Sequence, residues 1–292
     1  MVKVPDRQIP GVYHRRVGDI TVTAVSDGFL DSNLDVLRNI EKEDARQILT
    51  SNFRPARRTA VNCFLIYTAG KVALVETGCG RYMADTGGQL RNNLAAADVD
   101  PGAIETVLLT HMHPDHSAGL TDMTTGERNF PNAELVMHEN EPRHWFDDAA
   151  MARGDDREKR LFFQAGREQT QPYRDRWRLF QKGEVLPGVT AMPLHGHTPG
   201  HSGYLVSSGG ENLLIWGDIV HVPEVQTARP EVCMSFDTDK AQAEATRRRI
   251  FDMVATDRLL VTGMHLHFPG FSRLVRDGSG YRLIPAAWEH AL

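Results

Sequence analysis

Residues 108–120, LLTHMHPDHSAGL, constrain this chain more than any other stretch. Within six residues they place His111, His113, Asp115 and His116, directly after an apolar, β-branched run at 106–109 that reads as a buried strand. A strand that ends in a tight turn aims several such side chains into one small volume. Neutral imidazoles and a carboxylate are the nitrogen and oxygen donors that suit zinc and its neighbours, and four of them exceed what one catalytic ion with an open position needs from a single loop. The surplus points to two ions. His-rich turns also occur as solvated loops, but nothing ties a solvated loop to a strand end.

The same pattern recurs. A strand at 189–194 runs into His195, Gly196, His197, Thr198, Pro199, Gly200 and His201; a strand at 212–216 ends at Gly217 and Asp218, with His221 three residues on; a strand at 259–262 ends at Gly263, Met264, His265, Leu266 and His267. Nine of the 13 histidines (111, 113, 116, 195, 197, 201, 221, 265 and 267) fall in or beside these four places, as a site built by loops on a rigid sheet requires. The other expected elements are a hairpin of residues 12–16 and 20–26, a helix at 41–51, a basic connector at 54–58 and strands at 60–67, 71–75 and 134–138. Helical patterns at 87–98 and 239–256, a short helix capped by Asp100 and Pro101, and a closing strand at 281–285 complete the set. Residues 139–182 read as mostly helical or irregular. They carry Trp145, Phe146, Phe162, Phe163, Tyr173 and Trp177, as core or as lining of a substrate pocket.

Composition sets limits on partners. The 292 residues suit one large α/β domain over 1–292, with 1–20 as an N-terminal arm and 139–182 as an insertion near the pocket. A formal net charge of -5 and the lack of a long Lys/Arg run argue against a nucleic-acid surface, and Arg247, Arg248 and Arg249 read as the solvated face of a helix. Cys63, Cys79 and Cys233 are odd in number and lack CxxC pairing, so reduced thiols in a cytoplasmic protein are expected. The N-terminus has no apolar signal core, and no apolar run reaches the length of a membrane span. No GxSxG offers a serine nucleophile.

At this point the residues resemble the metallo-β-lactamase fold superfamily. His111, His113, Asp115 and His116 match its HxHxDH motif; His197 in GHTPGH, Asp218 in a strand-end GD and His265 in the last loop match its remaining metal positions in order, over about residues 20–285. The resemblance implies an αββα sandwich of two mixed sheets flanked by helices. It implies that His111, His113 and His197 hold a first metal, that Asp115, His116 and His265 hold a second, and that Asp218 bridges both, with a shared hydroxide as attacking group. Zinc is the first expectation, with Mn, Fe and Co also accepted by such donors. Catalytic roles fall to Asp115, Asp218 and His221.

Departures narrow the family. Asp218 stands where class B β-lactamases commonly carry Cys, His113 is not the Glu of the diiron branch, and the longer basic C-terminal region of the glyoxalase II branch is absent. Glu76 replaces the Asp of the VDTG turn and is expected to support the site by hydrogen bonds. WGDIVHVPEVQ around Asp218, with MHLHFPGF and GSGYRLIP, resembles methyl parathion hydrolase and its relatives, which cleave organophosphate triesters, aryl esters and lactones. Related acyl-homoserine lactonases often carry Tyr where His221 stands, so His221 is expected to donate to a developing oxyanion or to protonate a leaving group, or else to be pinned to a loop carbonyl. His201 is expected in a supporting role, His195 at the rim or behind a ligand, and His265 rather than His267 as the last ligand.

The expected function is a dinuclear hydrolase of a small ester, lactone or phosphotriester. The alternatives are a dedicated acyl-homoserine lactonase, then a nuclease or a non-catalytic metal-binding sensor of the same fold. A homodimer formed through the arm is expected by analogy, and the loops near 50–60 and 140–180 are expected to set the substrate.

Overall fold

The computed structural model describes residues 4–54 and 56–292. Residues 1–3 of the expected arm and Pro55 of the expected connector lie outside the described residues.

Two mixed sheets of seven strands lie face to face. The first takes Val12–Val17, Ile20–Ser32, Arg57–Thr68, Lys71–Val75, Thr106–Leu108, Glu134–His138 and Trp177–Phe180 in chain order. Its first four strands pair antiparallel, the first with the second and the third with the fourth through two-residue turns, and the second with the third across residues 33–56, which carry the helix Lys42–Ser51; the rest pair parallel, joined by longer crossovers. Ala69 and Gly70 connect Thr68 to Lys71 with φ of 49° and 74°, the left-handed pair that matches strand twist in a two-residue hairpin. The second sheet takes Gly183–Leu186, Val189–Pro193, Ser202–Ser208, Glu211–Ile215, Leu260–Thr262, Ser272–Asp277 and Gly280–Pro285. Its one parallel pair, Glu211–Ile215 with Leu260–Thr262, is bridged by the helix Lys240–Asp257, whose first turn is capped by the Asp239 side chain.

Between the sheets, Val22, Phe64, Ile66 and Val75 of the first meet Ala191, Tyr204, Val206 and Ile215 of the second in one buried cluster. The outer face of the first sheet carries Trp145, Phe162, Phe163 and Tyr173 on its core, with Phe146 and Trp177 partly buried against them. The outer face of the second buries Trp216 against Ile250, Phe251 and Val254 of the long helix. Both sheets are therefore apolar on two sides, which makes this the αββα sandwich expected from the sequence. Among the described residues no helix is long and apolar enough to cross a membrane, and the three cysteines are free and buried.

Several expectations need correction. The strand expected at 20–26 continues to Ser32 past a register shift at Asp27, whose buried carboxylate accepts from the Cys79 and Leu90 amides at 2.9 Å each. Gly28 follows at φ 122°, where a Cβ would stand 2.0 Å from the Thr86 carbonyl oxygen. Arg57 and Arg58 belong to a strand rather than to a connector, because they pair in register with Ser32 and Asp31. Trp177–Phe180, a sheet-edge strand, and Ser272–Asp277, rich in charge, lack the apolar signal that would reveal them. Arg247 is not on a solvated face. It is 1% exposed and donates to the Ile219 and Pro230 carbonyls at 2.8 Å each, fastening the segment that follows Asp218 to the long helix, while Arg248 and Arg249 are exposed.

Replacing Arg247 by Met should strand those two carbonyls and lower stability in urea unfolding by about 2–4 kcal/mol, against under about 0.5 kcal/mol for Arg249→Met on the same helix.

Candidate metal centre

Four strand ends converge at one edge of the sandwich. Thr106–Leu108 leads to the loop of His111 and His113 and to the single turn Pro114–Ser117, which carries Asp115 and His116. Val189–Pro193 leads to His197, Glu211–Ile215 to Asp218 and His221, and Leu260–Thr262 to His265. Six of the seven expected ligands are buried to 3% exposure or less; Asp115, whose side chain is 17% exposed, marks the side from which the cluster is approached.

Donor atoms 2.0–2.2 Å from one ion and tetrahedrally arranged stand about 3.3–3.6 Å apart. The Nε2 of His197 lies 3.2 Å from His111 Nε2 and 3.0 Å from His113 Nδ1. On the other side, Asp115 Oδ2 lies 3.6 Å from His116 Nε2 and 3.4 Å from His265 Nε2. Asp218 Oδ2 stands between the two groups, 3.7 Å from His111, 3.3 Å from His197, 3.2 Å from His116 and 3.3 Å from His265. The three donors His111, His113 and His197 form one set within 4.8 Å of one another, and Asp115, His116, Asp218 and His265 form a second. Hydrogen bonding accounts for only part of these spacings, since both ring nitrogens of His116, His113 Nε2 and Asp218 Oδ1 are buried without a hydrogen-bond partner. The residues fit two divalent ions.

Outer partners orient the rings, as ligating imidazoles require. His197 Nδ1 meets Asp237 Oδ1 at 2.7 Å, His265 Nδ1 donates to the Ala60 carbonyl at 2.8 Å, and His111 Nδ1 meets Thr110 Oγ1 at 3.0 Å. Buried Glu76 accepts the Thr110 amide at 2.8 Å and stands 3.6 Å from His116 Nδ1, so the longer side chain still supports this loop. His201 donates from Nδ1 to the Leu194 carbonyl at 2.7 Å and accepts the Asp218 amide on Nε2 at 2.8 Å. Gly217 makes that contact possible, since at φ 58° its Cβ would fall 2.4 Å from His201 Nε2.

Sequence reasoning missed Glu141. Its buried carboxylate accepts the Met112 amide, the Trp145 indole and the Gly200 amide at 2.8 Å each and the Thr198 hydroxyl at 2.5 Å, so it locks the HxH loop to the GHTPGH loop. It also missed Asp237 and Gln226, whose Oε1 accepts the His221 amide at 2.7 Å. Nothing in the sequence marked Glu141, which stands among Glu139, Arg143, Asp147 and Asp148.

The remaining histidines separate cleanly. His221 Nε2 lies 2.9 Å from Asp218 Oδ2, its ring stacked on His265 and edge-on to Phe236. His267 faces away, 2.7 Å from Glu224 Oε1. His195 is half-buried and contacts His138, with ring centroids 4.8 Å apart, and His144 lies on Trp145. Phe162 packs on His113 at 4.5 Å and Phe236 on His221 at 5.3 Å, which gives the site an apolar wall.

Burial disfavours every charge here, and the pattern of partners decides which survive. Burial and then neighbouring imidazoles push His111 well below the usual range, and burial with His197 does the same to His113. For His265 burial is outweighed by Asp218 and Asp115, which raise it to about 9; Asp218, Asp115 and Glu76 likewise raise His116. The two carboxylates stay ionised against burial, held low chiefly by His116 and His265. Burial lowers His201 to about 3 and His221 to about 4, so both are neutral at pH 7.

A two-sheet sandwich with a buried His and Asp cage at its strand ends defines a class of metal-dependent hydrolases. The chain belongs to the metallo-beta-lactamase superfamily, whose family model matches residues 56–267. It resembles the solved structure of hydrolase AbOPH of the beta lactamase superfamily at 29% identity and a TM-score of 0.90, covering 97% of this chain and 100% of that one. It shares its fold with AidC, a dizinc quorum-quenching lactonase solved with the product N-hexanoyl-L-homoserine, at 24% identity, a TM-score of 0.88, and coverage of 96% and 99%. The protein YobT of Bacillus subtilis (strain 168) is 26% identical over 158 residues, 54% of this chain, which spans about three fifths (61%) of that relative.

Two outcomes follow from the geometry. Asp237→Ala should lower metal affinity about 10–100-fold in chelator competition while circular dichroism stays unchanged. Loading metal at pH 7 should release protons, because ligation needs neutral imidazoles and His116 and His265 carry protons beforehand. His265 is raised to about 9, so its share of the release, read with a pH indicator in weak buffer, should fade as pH rises through that value.

Proposed function

We propose that this chain is a dinuclear metal-dependent hydrolase that cleaves a small ester, a lactone or an organophosphate triester. The observation that carries the reading is the placement of Asp218 Oδ2 within 3.7 Å of His111, His116, His197 and His265, between two donor sets. In it, His111, His113 and His197 hold one ion, Asp115, His116 and His265 the other, and Asp218 both. Two ions so held supply a water of lowered pKa and polarise the substrate oxygen. Zinc is the first choice of metal, with Mn, Fe and Co compatible with the same donors.

The chain's own residues do the rest. Phe162 and Phe236 keep bulk water from one side of the cluster, which strengthens the electrostatic interactions inside. His221 is buried and neutral, and its N–H is proposed to serve the oxygen that gains charge as the bond breaks. Asp218 and Asp115 keep their negative charge beside the cations, and Glu141 and Asp237 keep the two His loops in place. Likeness to AbOPH, a hydrolase, supports the general reading, and likeness in fold to AidC, a lactonase, favours a second one: a dedicated acyl-homoserine lactonase. The methyl parathion hydrolase-like branch rests on the motif context of Asp218 and His265. A nuclease is disfavoured by the net charge of -5. The protein is further proposed to act in the cytoplasm on a small molecule, away from membrane and nucleic acid, with a homodimer compatible with the arm.

Metal-reconstituted protein should hydrolyse members of a panel of homoserine lactones, aryl esters and phosphotriesters, and chelation should abolish that activity. Activity spread over the three classes supports the broad reading, a preference of orders of magnitude for the lactones supports the second, and no turnover with two metals bound contradicts both. His221→Ala should lower kcat about 100-fold with metal content unchanged; unchanged turnover removes His221 from the chemistry.

A further inference from the structure

Beside the metal cluster lies a cation that the reaction as described does not use. Arg57 is 9% exposed and opens the strand Arg57–Thr68, three residues before Ala60, whose carbonyl holds His265. One arm of its guanidinium donates to Ser32 Oγ at 2.9 Å and to the Asn33 carbonyl at 3.2 Å, which fixes its direction. The rest is unmatched: its Nε is buried without a partner, and among the described residues no carboxylate pairs with it. Thr59, two residues on and so on the same face of the strand, is 3% exposed, and its hydroxyl is also without a partner. The charge that acts on Arg57 is Asp115, the most exposed ligand and thus the one on the side of entry; burial lowers the guanidinium to about 10, which leaves it a cation at neutral pH.

A buried guanidinium without a counter-ion is costly, and an orphaned N–H more so. Both costs fall when a ligand brings an acceptor oxygen, most of all an anionic one. We infer that Arg57, with Thr59 beside it, is a substrate-recognition site for a second acceptor oxygen, a carboxylate or amide carbonyl on the acyl side of the bond that is cleaved. This rests on the hydrolase reading and narrows its substrate class to acyl compounds that carry that oxygen.

Three 4-nitrophenyl esters with the same leaving group test it: the butyrate, which lacks the second oxygen, the N-acetylglycinate, which has an amide oxygen, and the hydrogen glutarate, which has a carboxylate. Wild-type protein should show a KM for the glutarate about tenfold below that for the butyrate, with the acetylglycinate between them. Arg57→Gln should collapse the three values towards one, and Arg57→Lys should keep part of the gap by retaining the charge without the fork. A wild-type series without the gap, or a gap that survives R57Q with metal content and circular dichroism intact, overturns the inference. Titration calorimetry with glutarate reads the same contact without turnover and should show binding about tenfold weaker in R57Q. If no ester is turned over but glutarate binding still depends on Arg57, the hydrolase reading fails and the recognition site stands; binding indifferent to Arg57 in a folded, metal-loaded variant ends the inference.

Discussion

The structure is built around one buried carboxylate. Asp218 sits at the end of a strand with five imidazoles within 3.7 Å of a single oxygen, a concentration of donors that an apolar interior tolerates only if cations take up the spacing. Without metal, protons on His116 and His265 perform part of that neutralisation. With metal, those protons must leave. Metal binding, charge balance and the shape of this edge of the sandwich are thus one equilibrium rather than three.

Such an arrangement needs rigid support, and the sandwich supplies it in layers. The sheets fix where the strands end; the loops that leave them are then tied to one another by buried polar groups. Glu141 joins the two His loops with three hydrogen bonds and takes a fourth from Trp145, His201 holds the Asp218 backbone, and the Asn62 side chain donates to the Leu266 carbonyl at 2.7 Å beside His265. Each of these groups bonds to backbone of a loop other than its own, so the loss of any one loosens two elements at once. Arg247 does the same for the segment beyond Asp218.

Much of the site was legible in the sequence because metal chemistry restricts residue type and spacing so tightly. HxHxDH, GHTPGH and the strand-end Asp218 specify their own neighbours, and the structure sets His265 among the clustered donors while His267 contacts Glu224. The supporting network was not legible. Glu141 and Asp237 are acids in unremarkable contexts, and the partners that give them their roles, the Met112 and Gly200 amides, the Thr198 hydroxyl and the His197 ring, are brought near only by the folded chain. Arg247 and Arg57 were misplaced for a related reason: an Arg reads as solvent-facing unless the carbonyls or loops that receive it are known. The edge strand Trp177–Phe180 escaped because a half-exposed strand carries no apolar alternation.

The most direct measurement of the central claim is anomalous diffraction from crystals of the protein reconstituted with zinc, collected on both sides of the zinc edge. Two peaks about 3.5–4 Å apart, one bounded by His111, His113 and His197 and the other by Asp115, His116 and His265, with Asp218 between them, are the predicted result. A single peak, or peaks remote from Asp218, would contradict the account.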